Sequence, residues 1–133
     1  MQNPNSEEIL IVEDDENAAK LLANRLANAG YRVHEEAYGE AALEYARKNW
    51  PSLIIIDLGL PDMSGFQVSA DMCKLFEPIK VPILMLTAMD RPAAELRGFV
   101  SGANAYMTKP FDTEKLLETV TQLIAEAKSR ETS

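Results

Sequence analysis

With 133 residues and a formal net charge of −8, the chain fits one domain and lacks the basic surface needed to bind nucleic acid through phosphates. Its apolar fraction of 47% and charged fraction of 26% are ordinary for a soluble protein, and no run is apolar for long enough to span a bilayer. Residues 1–8 are polar and acidic, unlike a secretory signal, and the lone Cys73 cannot form an internal disulfide, so the cytoplasm is the expected setting.

Residues 8–14 are a short apolar run that ends abruptly in acids, the pattern of a strand buried on both faces. Residues 16–29 set Ala19, Leu22, Leu26 and Ala29 at helical spacing, with Gly30 placed to end the helix. Residues 31–36 alternate weakly, like an edge strand, and His34 within them is expected to be exposed. Residues 39–48 put Ala42, Leu43 and Ala46 on one helical face. Trp50, beside Pro51, reads as a packing residue before the third strand, which runs from Leu53 to Ile56 and into Asp57.

A loop over 58–65 leads to a helix over 65–76, where Cys73 is expected to be a small buried or half-buried side chain. Residues 82–86 run into Thr87, and a helix fits 92–101, from Pro92 to an end at Gly102. A short strand over 103–108 precedes Lys109 and Pro110. The last helix fits 112–128, with Asp112 as its cap and Leu116, Leu117, Val120, Leu123 and Ile124 inward. Met85 and Met107 read as core and loop residues. Strand and helix alternate five times, which implies an α/β fold: a doubly wound, five-stranded parallel sheet with five helices. Residues 1–7 form a polar N-terminal tail, 8–128 the domain, and 129–133 a polar C-terminal tail or the stub of a linker.

In open parallel sheets the ligand site lies beyond the carboxyl ends of the strands. Those ends carry Glu13, Asp14 and Asp15, then Asp57, Thr87 and Lys109. Crowded carboxylates repel one another unless something neutralises them, and a hard divalent cation such as magnesium does so through oxygen ligands. A nearby lysine can face a carboxylate or phosphoryl oxygens. The set is equipment for phosphoryl transfer to a carboxylate. Taken singly, each residue has an ordinary explanation. Asp15 sits where a helix cap would, Asp57 could be a turn residue, Thr87 a strand terminus and Lys109 a solvated surface lysine.

Four motifs at these strand ends occur in an order and spacing that resemble the receiver domain of two-component response regulators, over about residues 8–128. They are Ile9-Leu10-Ile11-Val12-Glu13-Asp14-Asp15, Ile56-Asp57-Leu58-Gly59-Leu60-Pro61-Asp62-Met63-Ser64-Gly65, Pro82-Ile83-Leu84-Met85-Leu86-Thr87-Ala88 and Tyr106-Met107-Thr108-Lys109-Pro110-Phe111. The resemblance implies a flavodoxin-like sheet of order 2-1-3-4-5. It makes Asp57 the phosphoacceptor, with Glu13, Asp14, Asp57 and the backbone carbonyl of Gly59 around magnesium or manganese. Thr87 would bond the phosphoryl group, and Tyr106 would turn inward to fill the space Thr87 vacates. Lys109 would pair first with Asp57 and then with a phosphoryl oxygen. Ala88 would be small beside the site, Pro61 and Gly65 would shape the loop, and the Lys109–Pro110 bond would be cis. The implied partners are a sensor histidine kinase or phosphotransfer protein upstream and an effector domain or protein downstream. No membrane and no direct nucleic-acid contact are expected.

Two departures matter within that resemblance. Gly59, two after Asp57, would leave one side of the phosphoryl group open to water, and Met89, two after Thr87, would partly screen the other. Residues 103–106 and the lysine- and arginine-free stretch 116–127 lack the charges of the familiar paired dimer, so no strong dimer of that type is expected. A phosphatase of the haloacid dehalogenase type needs an acid where Gly59 stands, and a nucleotide-binding module needs a glycine-rich phosphate loop that follows no strand here. A phosphorylation-independent receiver would be expected to lack Asp57, Lys109 or the acidic pair.

Overall fold

Ile54, Ile55 and Ile56 leave no face of their strand for water, so elements must cover the sheet on both sides. The computed structural model describes residues 7–77, 79–87 and 102–132. In it β1 (Glu8–Val12), β2 (Arg32–Glu36), β3 (Leu53–Ile56), β4 (Ile83–Thr87) and β5 (Ala105–Thr108) form one parallel sheet. The strand order is β2-β1-β3-β4-β5, as the family resemblance implies.

The described residues contain four helices: α1 (Glu16–Asn28), α2 (Gly39–Asn49), α3 (Gly65–Phe76) and α4 (Thr113–Thr132). The helix expected over 92–101 lies outside the described residues, as do Ala88 and Met89. Alternate strand residues feed two cores. Ile9, Ile11, Leu53, Ile55, Leu84 and Leu86 meet Leu22 and Leu26 of α1 and Leu116, Val120, Leu123 and Ile124 of α4. Leu10, Val12, Ile54, Ile56, Ile83 and Met85 meet Ala42, Leu43 and Ala46 of α2 and Val68, Met72 and Phe76 of α3. Each of these large side chains contributes roughly 1.5–3 kcal/mol of burial. No helix among the described residues is long and apolar enough to cross a membrane.

Several local expectations change. The last helix continues past 128 to Thr132, because residues 125–131 are mostly good helix formers and Lys128 is tied to Glu7 at the foot of β1. The ladder of β5 starts at Ala105 rather than 103. Asn104 bridges to β4 first, its N–H donating to the Ile83 carbonyl at 2.8 Å and its Oδ1 accepting from the Ile83 N–H at 2.9 Å. Trp50 packs edge-on against Phe76 as a packing residue would, but it is 46% exposed and ends α2 in a left-handed conformation (φ 45°).

His34 is half-buried rather than exposed. Its Nε2 lies 2.6 Å from Glu36 Oε2, and its ring stacks on Tyr45 of α2 at 3.6 Å. The Tyr45 hydroxyl in turn donates to Glu8 Oε2. Burial, the bond to Glu8 and the charge of Glu8 push the Tyr45 phenol up to about 12. A raised folded value means the neutral phenol supports the fold fully below its ordinary value of 10.0, and that support is lost as pH rises through about 12. An ultraviolet titration should therefore show one of the four tyrosines ionising late. Tyr45→Phe should delete that step and Glu8→Gln should move it earlier; a late step that survives in Tyr45→Phe would assign it wrongly.

Candidate functional site

Register places the acids. Val12 pairs with Ile56, so Glu13 and Asp57 leave neighbouring strands at the same level. The Asp57 N–H still bonds the Val12 carbonyl at 2.9 Å, and the Glu13 N–H bonds the Glu36 carbonyl at 3.0 Å. Their side chains therefore start from fixed backbone. One carboxylate oxygen each from Glu13, Asp14 and Asp57 lies within 4.8 Å of the others. Glu13 is buried, Asp57 half-buried and Asp14 exposed, which gives the cluster one open side. Three such oxygens form a hard-donor set of the kind that suits a divalent cation.

Asp15 does not join them. Its Oδ1 accepts from the N–H groups of Asn17 and Ala18 at 3.0 and 3.3 Å and caps α1. Its own N–H donates to Glu13 Oε2 at 3.1 Å. Lys109 comes directly after β5, and its bond to Pro110 is cis. Its Nζ donates to Glu13 Oε1 at 2.6 Å and stands 3.5 Å from Asp57 Oδ1. The lysine thus lies against the acids, with Glu13, not Asp57, as its nearer partner. Both oxygens of Glu13 are engaged, which holds its carboxylate in one orientation.

The charges pull in two senses here. Burial lifts the Glu13 carboxyl above its ordinary range; the Lys109 bond and the Asp15 N–H pull it back, and Asp57's charge adds to the rise. Burial disfavours the Lys109 ammonium, but the bond to Glu13 and the charge of Asp57 outweigh that and raise its pKa. The pairing thus favours the charged lysine, while the buried carboxylate is left raised.

Thr87 closes β4 in register with Thr108, at the same edge of the sheet. Tyr106 pairs with Met85 and packs half-buried against the second core. The N–H of Gly59 donates to Asp57 Oδ2 at 3.2 Å. A Cβ on Gly65 would lie 2.7 Å from the Asp57 carbonyl oxygen, so only glycine lets α3 start this close to the acid.

One residue of the loop escaped the sequence reading. Asp62 accepts from the Gly39 N–H at 2.8 Å and the Glu40 N–H at 3.1 Å, capping α2 from across the fold. The available signal was negative: Tyr38 precedes α2 and has no side chain able to cap it.

The fold agrees with the comparisons. The family model described as the response regulator receiver domain matches residues 9–121. The chain therefore belongs to the response regulator receiver domains of two-component systems. It is 38% identical over 124 residues to the transcriptional regulatory protein SrrA of Staphylococcus aureus (strain NCTC 8325 / PS 47). That match takes in 93% of this chain but 50% of SrrA, so the chain spans about half the length of the curated relatives it matches. The chemotaxis protein CheY4 of Vibrio cholerae superposes with a TM-score of 0.81 at 32% identity, covering 89% of this chain and 98% of that one. A CheY-like receiver domain protein of Methanospirillum hungatei JF-1 gives a TM-score of 0.88 at 27% identity, covering 94% and 98%.

Proposed function

We propose that Asp57 accepts a phosphoryl group from a sensor histidine kinase or phosphotransfer protein, and that the phospho-state sets which effector domain or protein the chain engages. The observation that carries this is the packing of three carboxylate oxygens within 4.8 Å of one another, with Lys109 at 2.6 Å from Glu13 and 3.5 Å from Asp57. Glu13, Asp14, Asp57 and the Gly59 carbonyl would hold magnesium or manganese. When bound, the cation supplies charge neutralisation and orientation of phosphoryl oxygens.

The protein's own groups do the rest. Asp57 presents an oxygen as nucleophile, held by the Gly59 N–H. Lys109 brings a positive charge to the oxygens that gain charge in the transfer. Glu13 keeps that lysine in place. Thr87 and Tyr106, two strand positions apart in register, would report the phosphoryl group by a change in population between two arrangements. The chain acts as a signalling phosphoacceptor in the cytoplasm rather than as an enzyme. It contributes to its own phosphorylation and dephosphorylation, leaves nucleic-acid contact to an effector, and forms no strong charge-paired dimer through α4.

The test is intact mass after incubation with a small phosphodonor, with and without magnesium, then borohydride reduction and peptide mapping. One magnesium-dependent phosphoryl group on Asp57 is expected. An adduct on another residue, or one indifferent to magnesium, would remove the basis for these roles.

A further inference from the structure

The loop after Asp57 is closed at its base, where the Gly65 N–H bonds the Leu58 carbonyl at 3.3 Å. Near its start, Gly59 touches the acid itself, its N–H donating to Asp57 Oδ2. Between these points the loop meets α2. Asp62 is exposed, yet both its oxygens are used, on the first two amides of that helix. Those bonds hold its carboxyl below the usual carboxylate range. Met63 beside it lies so close over Gly39 that a Cβ there would overlap the Met63 side chain.

We infer that Asp62 is a positioning residue, tying the loop after Asp57 to the start of α2 and so setting where the Asp57 carboxylate and the Gly59 backbone stand. The inference rests on the reading of Asp57 and its acidic neighbours as a cation-assisted phosphoacceptor site. The tether acts through two links. The helix amides point at Asp62 and fix it, as the positive end of a helix fixes an anion. Six residues of chain between Leu58 and Gly65 then have an anchor at their far side as well as at their base. A loop pinned at one end only would let the Gly59 N–H drift from Asp57, and small misplacements of a reacting group are costly.

A plain cap would serve α2 without serving the loop, and that difference is measurable. Tyr38 is exposed, has the extended backbone of a cap position and makes no side-chain cap bond. Tyr38→Ser would supply a neutral local cap. The experiment compares wild type, Asp62→Ala, Tyr38→Ser and the double variant by melting temperature, by calorimetric magnesium titration and by phosphorylation rate with a small phosphodonor at saturating magnesium.

Asp62→Ala should melt earlier and bind magnesium roughly tenfold more weakly, the low end for partners outside a coordination shell. The double variant should regain the melting temperature while magnesium binding and phosphorylation stay impaired. If the double variant binds magnesium like wild type, Asp62 is a helix cap alone and the inference is overturned. If wild type itself binds no magnesium, the reading of the Asp57 site fails and takes the inference with it. Should Asp62→Ala not fold, Asp62→Asn, which keeps one acceptor for the two amides, gives the same comparison with a smaller loss.

Discussion

Replacing Lys109 with methionine should weaken the magnesium-free protein, tighten magnesium binding and slow phosphoryl uptake, all from one substitution. The first effect comes from Glu13. It is buried and loses its 2.6 Å partner, leaving only the Asp15 N–H against an apolar surround and the charge of Asp57. Breaking a fully buried pair costs about 3–5 kcal/mol. Lys109 keeps 26% of its side chain exposed, so roughly 2 kcal/mol is the fitting figure. For a domain of this size that is a fall of roughly 6–10 °C in Tm.

The loss depends on pH. Glu13's carboxyl is already raised above its ordinary 4.5, and the variant removes the Lys109 bond that pulls it down. Support from the protonated form is complete below 4.5 and is lost as pH rises through the folded value. The Tm deficit should thus be small in mild acid and grow toward neutrality, and magnesium should restore more stability to the variant than to wild type.

Magnesium binding tightens because the ammonium no longer competes for Glu13 Oε1. A lost repulsion of about 1.4 kcal/mol corresponds to tenfold in Kd. Phosphoryl uptake should nonetheless fall about a hundredfold or more, the usual result of deleting one charge-stabilising donor. A Tm scan against pH, with and without magnesium, and a phosphorylation time course check these together. Weaker magnesium binding in the variant would contradict the competition between lysine and cation.

The sheet and the site edge could be read from the chain because each rests on local chemistry. Leu53–Ile56 has no polar position and follows the break at Pro51 and Ser52, which fits a strand buried on both faces with Asp57 emerging at its end. Asp15 was open to a reading as a cap because capping depends on residues two and three positions away. The features that escaped depend on distant partners. That Lys109 lies nearer Glu13 than Asp57 is set across a sequence separation of 96 and by the register between strands. His34 gave no hint of its shelter, which Tyr45 provides from a helix that crosses over it. Asp62 resembles a turn residue until the uncapped start of α2 is placed beside it. The extension of α4 to Thr132 depends on propensity plus one contact with Glu7, and only the first is written locally.

Two glycines near Asp57, Gly59 in the loop and Gly65 at the start of α3, should respond very differently to the same added methyl group. At Gly59 a Cβ would stand 3.5 Å from Asp57 Oδ2, an ordinary contact, so Gly59→Ala should fold with nearly the wild-type Tm. At Gly65 it would stand 2.7 Å from the Asp57 carbonyl oxygen and 2.8 Å from Leu58 Cα. Both neighbours are backbone, and that backbone is bonded into the sheet through the Asp57 N–H and the Val12 carbonyl. No side chain can swing away, so either α3 lifts off the sheet or the end of β3 shifts.

Overpacking of this kind costs typically 1–3 kcal/mol, and rigid neighbours put Gly65→Ala near the upper figure, a fall of roughly 10 °C in Tm. The better helix propensity of alanine offsets little, since Gly65 is the first residue of α3. The shift also reaches the proposed chemistry, because the displaced atom belongs to Asp57, the residue proposed as acceptor. Phosphoryl uptake should drop by about ten- to a hundredfold in the molecules that remain folded. Thermal melts of the two variants side by side, with uptake measured at a temperature where both are folded, decide the matter. Equal Tm values would mean that α3 can start a few tenths of an ångström further out at no cost, and that the close approach at Gly65 is not what positions Asp57.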